Sequence, residues 1–435
     1  MIPELHRRPG LFGLAVAMVS SFLACAQPTP RITGEACDPG NGGLTLPEGF
    51  CARVVAAEVG PARHLDVASN GDVFVALRNT TGPDRSRIPG GVVVLRDLDG
   101  DGRADKRHSW GENGGNEILL HGEYAYFATD DAVLRYPLAA GSVVPSGSPD
   151  TLVADLPADR NHRAKSLALG PGNSLFVNIG SPSNACQQEP RTAGSPGMDP
   201  CPQLETRAGI WRFDKNQIGQ TQGDGVRFAT GLRNTVALQV HPSGGLFGVI
   251  HGRDQLSAFW SEQYTASDNA EKPAEELVRI EEGDNFGWPY CYFDPISDTK
   301  VLAPEYGGDG ESLGRCAEMK DPLVDFPAHW APNDLHFYSG TQFPEAYRGG
   351  AFVAFHGSWN RAPEPQRGYN VVFVPFQGDL ADGSWSVFAD GFAGADVSPG
   401  GAEHRPVGLA EGPDGSLYIS DSRVGTIWRI SYIGG

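Results

Sequence analysis

The sequence predicts an all-β fold, a six-bladed β-propeller, on three observations. A short apolar strand, a turn containing Gly, Pro or Asn, and a second apolar strand recur six times along the 435 residues. A third apolar run follows most copies. The 57 glycines and 34 prolines are spread along the chain, as a fold rich in turns requires. Three or more strands per unit, repeated around an axis, are typical of a propeller.

The six hairpin copies and their third strands can be located one by one. The hairpins are predicted at 66–76 (DVASNGDVFVA), 117–128 (EILLHGEYAYFA), 166–179 (SLALGPGNSLFVNI), 236–249 (VALQVHPSGGLFGV), 335–354 and 407–420 (VGLAEGPDGSLYIS). The third strands are predicted in GGVVVLRDL, AVLRYPL, GIWRFDK, EELVRIEEG, NVVFVPF and TIWRISY. The copies are unevenly spaced, which predicts loops inserted between the blades. The opening run LPEGFCARVVAA has no partner of its own, and we expect it to add a strand to the last blade, closing the ring and removing sheet edges.

The chain is expected to form one large domain after an N-terminal segment. Propellers exceed the usual domain size because each blade packs only on its neighbours. The predicted organisation is a signal peptide over 1–24, a tether over 25–45 and the propeller over 46–435.

The N-terminal segment has the features of an export signal. Arg7 and Arg8 precede an apolar run over 11–24 that is too short to be a stable membrane anchor. The run ends in Phe-Leu-Ala-Cys, which resembles a bacterial lipoprotein cleavage site with Cys25 as the lipidated residue. The alternative is an ordinary signal peptide cut a few residues later. We expect an exported protein, periplasmic or anchored at the outer membrane, whose only contact with the membrane is the lipid on Cys25.

Apart from Cys25, the six cysteines fall in near pairs along the chain. The pairs are Cys37 with Cys51, Cys186 with Cys201, and Cys291 with Cys316. An even number of cysteines in an exported protein predicts three local disulfides, although six cysteines allow fifteen connectivities. A metal site is less expected because none of the pairs has CxxC spacing.

Cationic and amide side chains concentrate at one end of the predicted ring, although the net charge of the chain is −19, which repels nucleic acid. In a propeller, residues just before the inner strands and just after the second strands gather at the same end. Before the inner strands stand Arg63, His64, Asn116, His162, Arg233, Asn234, Asn333, His404 and Arg405; after the second strands stand 181–184, 251–254 and 356–361. We call this set the throat. Its acids are few, chiefly Glu117, Asp254 and Asp334.

The throat arginines indicate an anionic ligand. Arginines around one cavity repel each other unless an anion lies between them, and planar guanidinium groups suit carboxylates or phosphates. The alternative is that each arginine pairs with an acidic neighbour in its own blade.

Two weaker patterns are also visible. Asp97, Asp99, Asp101 and Asp105 alternate around a glycine at the sixth position, as in a calcium-binding loop, although position twelve is His108 rather than Glu and strands flank the loop. An uncoordinated Asp/Gly turn is the alternative.

Three aromatic residues, Trp288, Trp359 and Tyr290, could stack on a sugar or cofactor ring, but a tryptophan in a propeller is more often part of the core.

Several motifs together carry a family resemblance. They are GLRN, with Arg233 and Asn234; NHRAKSLALGPGNSLFVNIGSPSNAC; FGWPYC; FHGSWNR; and HRPVGLAEGPDGSLYISD. In order from Leu46 to Tyr432, they make the chain similar to the pyrroloquinoline quinone (PQQ) dependent sugar dehydrogenases, closest to the sorbosone and pyranose dehydrogenase branch. The family has a six-bladed propeller fold, in agreement with the repeat count.

The resemblance implies PQQ, which carries three carboxylates, and a calcium ion at its quinone edge. His162 matches the family's general base, whose imidazole has a pKa suited to taking a proton. Arg233 and Asn234 match the pair beside the reacting quinone carbonyl, where a cation stabilises developing negative charge. Arg405 matches an arginine that binds a carboxylate, with His356 or Arg361 as a further cationic contact. The turn at Gly252 and Arg253 matches the one whose carbonyls bind calcium.

The candidate site consists of residues matched through the family resemblance and of residues in the throat. The predicted catalytic residues are His162, Arg233 and Asn234. The predicted cofactor-binding residues are Arg63, Asn116, Arg233, Asn234, His356, Arg361, His404 and Arg405. The predicted metal ligands are Gly252 and Arg253 and, separately, Asp97, Asp99, Asp101 and Asp105.

Three functions remain open on the sequence. The first is an exported oxidoreductase that oxidises a sugar and passes electrons to a separate acceptor, since the chain has no CxxCH haem site. The second, a propeller lactonase or related hydrolase, would need acids around a central metal and is disfavoured by their scarcity in the throat. The third is a cofactor-free propeller that serves as a binding module.

Overall fold

The strands of the computed structural model, which describes residues 37–82 and 84–434, form six blades of a β-propeller. Each blade is a four-stranded antiparallel sheet, and blade 2 gains a short fifth strand. From the centre outwards, blade 1 contains Ala62–Val67, Val73–Leu77, Gly91–Arg96 and Lys106–Trp110; blade 2 contains Gly115–His121, Tyr124–Thr129, Val133–Pro137 and Asp150–Ala154; blade 3 contains Leu167–Leu169, Ser174–Ile179, Gly209–Asp214 and Val226–Thr230. Blade 4 contains Ala237–Val240, Leu246–Ile250, Glu275–Ile280 and Val324–Phe326; blade 5 contains Pro332–Phe337, Ala351–Phe355, Asn370–Val374 and Ser386–Ala389; blade 6 contains Pro406–Glu411, Leu417–Asp421, Ile427–Tyr432 and Phe50–Ala56.

All six predicted hairpins and all six predicted third strands are present. The inner strands of blades 1, 2 and 5 begin earlier than expected, at Ala62, Gly115 and Pro332. The residues Arg63, His64, Asn116 and Asn333 therefore lie within strands. The pairing register shifts at the start of the inner strands of blades 1, 2, 5 and 6. Such bulges re-aim side chains. The side chains of the residues predicted to precede these strands therefore project from irregular strand ends.

The ring closes as the sequence predicts. Phe50–Ala56 pairs antiparallel with Ile427–Tyr432, with Phe50 opposite Tyr432 and Arg53 opposite Arg429. The first strand therefore completes the last blade and covers the edge that Ile427–Tyr432 would otherwise expose.

The core is a series of apolar layers between neighbouring blades. Phe74 and Val94 of blade 1, for example, pack with Ile118 and Phe127 of blade 2, and all four are buried. Burying a phenylalanine side chain contributes roughly 1.5–3 kcal/mol. These layers hold the inner strands in place, and hence the side chains at their ends.

The helices and the remaining short elements lie in insertions between strands, except for the turn at Pro39–Gly43, which precedes the first strand. The helices are Leu256–Phe259 and Ala266–Glu271, with 3-10 turns at Pro39–Gly43, Pro202–Glu205, Gln222–Asp224, Pro304–Tyr306, Gly314–Glu318 and Glu345–Tyr347. The short strands are Thr80–Thr81, Arg87–Ile88, Gln220–Thr221, Cys291–Asp294, Thr299–Leu302, Phe376–Gln377 and Leu380–Ala381. Both helices belong to the loop between the second and third strands of blade 4.

The three predicted disulfides are confirmed. Cys37 is bonded to Cys51, Cys186 to Cys201, and Cys291 to Cys316. The predicted signal peptide over 1–24 and the lipidated Cys25 lie outside the described residues. Over the ranges that are described, no helix has the length and apolarity needed to cross a membrane.

Candidate functional site

Arg233 lies where three loops of the throat meet. Its Nε donates to the carbonyl of Asn184 (3.2 Å), its Nη1 to the carbonyl of Gly252 (2.8 Å), and its Nη2 to Oδ2 of Asp254 (2.9 Å) and Oδ1 of Asn184 (3.1 Å). Burial works to raise the pKa of Asp254, but the Arg233 guanidinium and other nearby cations outweigh burial and hold that pKa below its usual value. The loops 181–184 and 251–254 are thus fixed around the GLRN turn, as predicted.

His162 is held beside this cluster in one tautomer. Its Nδ1 lies 2.7 Å from the carbonyl oxygen of Ser181 and 3.0 Å from the Ser181 hydroxyl. A carbonyl oxygen only accepts hydrogen bonds, so Nδ1 carries the proton and Nε2 presents a lone pair. Burial, followed by the positive charge of Arg233, lowers the pKa of His162 to about 3. The imidazole is therefore neutral in the protein without a bound anion, although a pKa of about 3 makes it a weaker base than the sequence led us to expect.

The backbone around His162 is specialised. His162 adopts a positive φ of 49°, which is uncommon for residues other than glycine, although histidine is one of those that adopt it more often. A Cβ on Gly180 would lie 2.5 Å from Cβ of His162 and 2.9 Å from Oδ1 of Asn234. Glycine at 180 therefore lets these two predicted catalytic residues lie side by side. Oδ1 of Asn234 is buried and has no hydrogen-bond partner among the described residues, which leaves an acceptor for a ligand.

A second part of the throat contains arginines without acidic partners. Nε of Arg63 donates to Oδ1 of Asn116 (2.8 Å), and Arg405 donates to the carbonyls of His356 (2.8 Å) and Gly357 (2.7 Å). In the described ranges, no carboxylate lies within 4.0 Å of the guanidinium of Arg63 or Arg405, or of Arg78 in the same region.

The positive charges of these arginines lower the pKa values of neighbouring cationic groups. Burial and then Arg78 lower the pKa of Arg63 to about 9. Burial, followed by Arg405 and Arg63, holds the pKa of His356 well below its ordinary value. The pairing of each arginine with an acid of its own blade, considered above as the alternative, holds for Arg233 but fails for Arg63, Arg78 and Arg405. This donor set fits an anion with several carboxylates.

Two predicted cofactor residues have protein partners instead. Arg361 is fully buried and donates to Oε1 of Glu271 (2.6 Å), to the carbonyl of Pro365 (3.0 Å) and to the carbonyl of Ala270. His404 contacts Oδ2 of Asp421 through Nδ1 (3.0 Å), and its ring packs edge-on against Trp428. Their roles as cofactor ligands stay predictions, and we leave both out of the site proposed below.

The predicted calcium turn surrounds a buried carboxylate. The N–H of Gly252 donates to Oε2 of Glu275 (2.7 Å), and the N–H of Ala331 donates to Oε1 (3.1 Å). Burial raises the pKa of Glu275 to about 7. Arg253 is paired with Glu305, and its Nε and Nη2 have no partner among the described residues. Glu275 has no ion-pair partner among the described residues, so its carboxylate suits a hard cation such as calcium, whereas the Gly252 carbonyl already accepts from Nη1 of Arg233 (2.8 Å).

The aspartate loop lies elsewhere. Gly91 pairs with Leu77 and Leu95 with Val73, so the loop after Arg96 is at the end of blade 1 opposite to Arg78. Oxygens of Asp97, Asp99 and Asp105 lie within 4.8 Å of one another and are exposed. Asp101 accepts from the N–H of Arg103 (2.8 Å), and Asp97 likewise accepts from the N–H groups of Gly100 (2.7 Å) and Gly102 (2.8 Å). A calcium site at this loop stays a prediction.

Sequence reasoning missed Arg78 and Glu275. Arg78 directly follows the second strand of blade 1, the position that drew attention to the loops after the second strands of blades 3, 4 and 5, so the same rule would have found it. Glu275 opens a third strand whose sequence gives no sign of the turn that it will contact.

Comparison with known proteins gives the family. The family model described as TrAA12-like matches residues 44–432. The chain belongs to the TrAA12-like family. A PQQ-dependent pyranose dehydrogenase from Coprinopsis cinerea is 29% identical over 269 residues, covering 53% of this chain and 35% of that protein. The resemblance to PQQ-dependent sugar dehydrogenases is thereby confirmed. An uncharacterized protein from Borreliella burgdorferi is 30% identical over 206 residues, covering 47% of this chain and 48% of that protein. This TrAA12-like chain thus spans half or less of each of these relatives.

Solved structures similar to the TrAA12-like chain share its fold. The holo PQQ domain of pyranose dehydrogenase from Coprinopsis cinerea matches with a TM-score of 0.71 at 21% identity, covering 89% of this chain and 97% of that one. A protein of carbohydrate-active enzyme family AA12 from Trichoderma reesei matches with a TM-score of 0.72 at 20% identity, covering 90% and 98% of the two chains. At these identities the matches establish the six-bladed fold.

Proposed function

We propose that this protein is an oxidoreductase that oxidises a sugar hydroxyl or aldehyde hydrate by hydride transfer to bound PQQ, with His162 as the general base. Membership of the TrAA12-like family supports this proposal, as does the printed activity of the Coprinopsis relative. The observation that carries it is the group of Arg63, Arg78 and Arg405, which lack carboxylate partners in the described ranges. All three act on the pKa of His356, as does His251, which also acts on the pKa of His162.

In this proposal the three arginines hold the carboxylates of the cofactor. Arg63 and Arg405 each use part of the guanidinium group on protein oxygens, which orients the rest for a ligand. Asn116 supports Arg63 by accepting from its Nε while donating to Ser166 (3.2 Å). Binding an anion here relieves the repulsion that lowers the pKa of Arg63 and His356.

The proposed chemistry assigns one proton transfer to this chain. PQQ, when bound, supplies an electrophilic quinone that accepts hydride. Nε2 of His162 takes the proton from the hydroxyl that is being oxidised, because Nδ1 is committed to Ser181. Arg233 uses four of its five N–H groups on Asn184, Gly252 and Asp254, which leaves one on Nη1 to stabilise developing negative charge. The buried Oδ1 of Asn234 remains to orient a donor group.

A calcium ion is proposed at the turn of Gly252 and Arg253, through their backbone carbonyls. Glu275, which accepts from the Gly252 N–H, would add negative charge beside the ion, and the ion would favour the ionised form of Glu275.

In this proposal the electrons leave the cofactor for a separate acceptor. We also propose that the protein is exported, which three disulfides support, with lipid attachment at Cys25 as the route to a membrane.

The lactonase alternative finds less support in the throat. Glu117 accepts from Nδ1 of His64 (2.7 Å), and Asp334 accepts from the N–H groups of Leu335 (2.8 Å) and Leu409 (2.7 Å). Both acids lie against the imidazole of His64, with Oε2 of Glu117 at 2.7 Å and Oδ1 of Asp334 at 3.9 Å from its Nδ1, so a histidine occupies the place between them.

The test is dye reduction by the purified protein, loaded with PQQ and calcium, on a panel of aldoses and osones. Turnover that requires both the cofactor and a sugar supports the proposal. Stoichiometric PQQ binding without turnover on any sugar would contradict the enzymatic part. The absence of both would favour the cofactor-free binding module.

A further inference from the structure

Lys165 is a fully buried lysine that the proposed mechanism does not use. It lies in the loop 155–166, which connects the outer strand of blade 2 to the inner strand of blade 3 and carries His162. Among the described residues, no carboxylate lies within 4.0 Å of its Nζ. Taking an ammonium group out of water is costly unless its N–H groups find partners. The partners of Lys165 therefore indicate its role.

The ammonium group of Lys165 binds the backbone of its own loop. Its Nζ donates to the carbonyl of Pro157 (2.8 Å) and to the carbonyl of Arg163 (2.6 Å). These two residues flank His162 in sequence, so one side chain joins the part of the loop before the imidazole to the residue that follows it. Burial lowers the pKa of Lys165 to about 8, which leaves the group predominantly charged at neutral pH. Hydrogen bonds from a charged donor are stronger than those from a neutral one.

The backbone of His162 needs such support. Its positive φ of 49° costs free energy, and a residue keeps such a conformation only where its surroundings fix it. Asn178 fixes the same loop from the second strand of blade 3. Its Nδ2 donates to the carbonyl of Ala164 (3.4 Å), while its Oδ1 accepts from the N–H of Thr235 (3.2 Å). The loop is thus held by Lys165 from within and by Asn178 from the neighbouring strand.

We propose that Lys165 is a positioning residue for the general base, whose ammonium group holds the loop in the conformation that directs Nδ1 of His162 to Ser181. This inference rests on the proposed function and extends it to a residue to which we assign no contact with cofactor or sugar. The imidazole is bonded to a backbone carbonyl and not to an acid, so its orientation depends on the backbones of two loops. Lys165 fixes one of them. A displacement of about 1 Å in a reacting group can cost about 10²-fold in rate.

The decisive variant is Lys165→Met, which keeps the length of the side chain and removes its donors. We expect kcat per bound PQQ to fall about tenfold or more, with KM for the best sugar of the panel and PQQ affinity within about threefold of wild type. Lys165→Arg retains the charge and the donors, and it should recover part of kcat. The matched control is Lys300→Met. Lys300 is equally buried, donates to the carbonyl of Phe286 (2.6 Å) and is paired with Glu276 (2.7 Å), so its loss should lower Tm and leave kcat unchanged.

A second measurement does not need the cofactor. Heteronuclear NMR of cofactor-free protein carrying isotopically labelled histidine reports which ring nitrogen holds the proton, and His162→Ala assigns the signal. We expect His162 in the wild-type protein to be protonated at Nδ1 alone. Lys165→Met should shift this signal or add the form protonated at Nε2, whereas Lys300→Met should leave it unchanged.

Wild-type kcat and a wild-type His162 signal in Lys165→Met would overturn the inference even if Tm falls, because Lys165 would then only stabilise the fold. Equal changes in Lys300→Met would also overturn it. If Lys165→Met does not fold, Lys165→Gln decides by the same two measurements, since its shorter side chain cannot place a donor at the position of Nζ. If the wild-type protein reduces no dye, the proposed function fails and the imidazole signal alone decides: a change in Lys165→Met supports the positioning role, and no change overturns it.

Discussion

Nδ1 of His162 lies 2.7 Å from the carbonyl oxygen of Ser181, a contact that commits one ring nitrogen to a proton and leaves the other as a base. Ser181 is itself fixed, because its N–H donates to the carbonyl of Arg233 (2.8 Å). The proton acceptor and the cation beside it are thus joined through one serine. The proposed general base is positioned by the backbone of the fold and does not depend on a second acid to orient it.

Replacing His162 tests its assignment as the base. We expect His162→Ala to lower kcat by about 10²- to 10⁴-fold, the usual cost of losing a general base, with PQQ affinity within about tenfold of wild type. Steady-state dye reduction and a calorimetric titration measure the two quantities. An equal loss of cofactor binding and turnover would make His162 a cofactor ligand instead.

Gly180→Ala should disturb the pair of His162 and Asn234. The added methyl group would lie 2.5 Å from Cβ of His162, so the imidazole must shift and kcat should fall by about tenfold or more. The control is Gly223→Ala, where the nearest atom to a new Cβ is 3.8 Å away. Kinetics and Tm of both variants decide: wild-type kcat in Gly180→Ala would show that the close approach of the two side chains is not needed.

Arg78→Ala should weaken cofactor binding. Arg78 lacks a carboxylate partner within the described ranges and lowers the pKa of Arg63, so it belongs to the cation group that we assign to PQQ. Loss of one charge-assisted contact predicts a Kd raised by about tenfold or more. Arg212→Ala is the matched control, because Arg212 is paired with Glu282 (2.8 Å) on the surface. Equal Kd values for Arg78→Ala and wild type in calorimetry would remove Arg78 from the site.

The stability of the cofactor-free protein should depend on pH through Glu275. Burial raises its folded pKa from 4.5 to about 7, so the folded state holds the proton more tightly than the unfolded state does. Its contribution is therefore greatest below about pH 4.5 and is lost as the pH rises through about 7. We expect Glu275→Gln to reduce this decline, measured as the slope of unfolding free energy against pH. Calcium should stabilise wild type most above pH 7, where Glu275 is ionised. Identical slopes in the two proteins would contradict the assignment.

Sequence reasoning located the blades because hairpins alternate with period two and turn residues separate them. It found the three disulfides from the short spacing within each cysteine pair, and the closing strand because the opening run had no partner of its own. It could not decide where long side chains point. Arg361 is the last residue of the throat loop 356–361, yet its guanidinium reaches helix Ala266–Glu271 in another insertion. His404 precedes an inner strand like its neighbour Arg405, but Asp421 takes its ring nitrogen.

The residues that were missed depend on contacts between distant segments. Glu275 acquires its role only because Gly252 and Ala331, from blades 4 and 5, both donate to it. The packing of the blades decides which loops come into contact, and the periodic pattern of the sequence does not predict such contacts. Arg78, in contrast, stands at a position that the repeat itself makes predictable.

The most direct test of the proposed cofactor site is calorimetric titration of the mature protein with PQQ in the presence of calcium. Tight binding at one PQQ per chain, weakened in Arg78→Ala and Arg405→Ala and retained in His162→Ala, is the expected result. The absence of binding in the wild-type protein would contradict the proposal and leave the throat as a site for another anion.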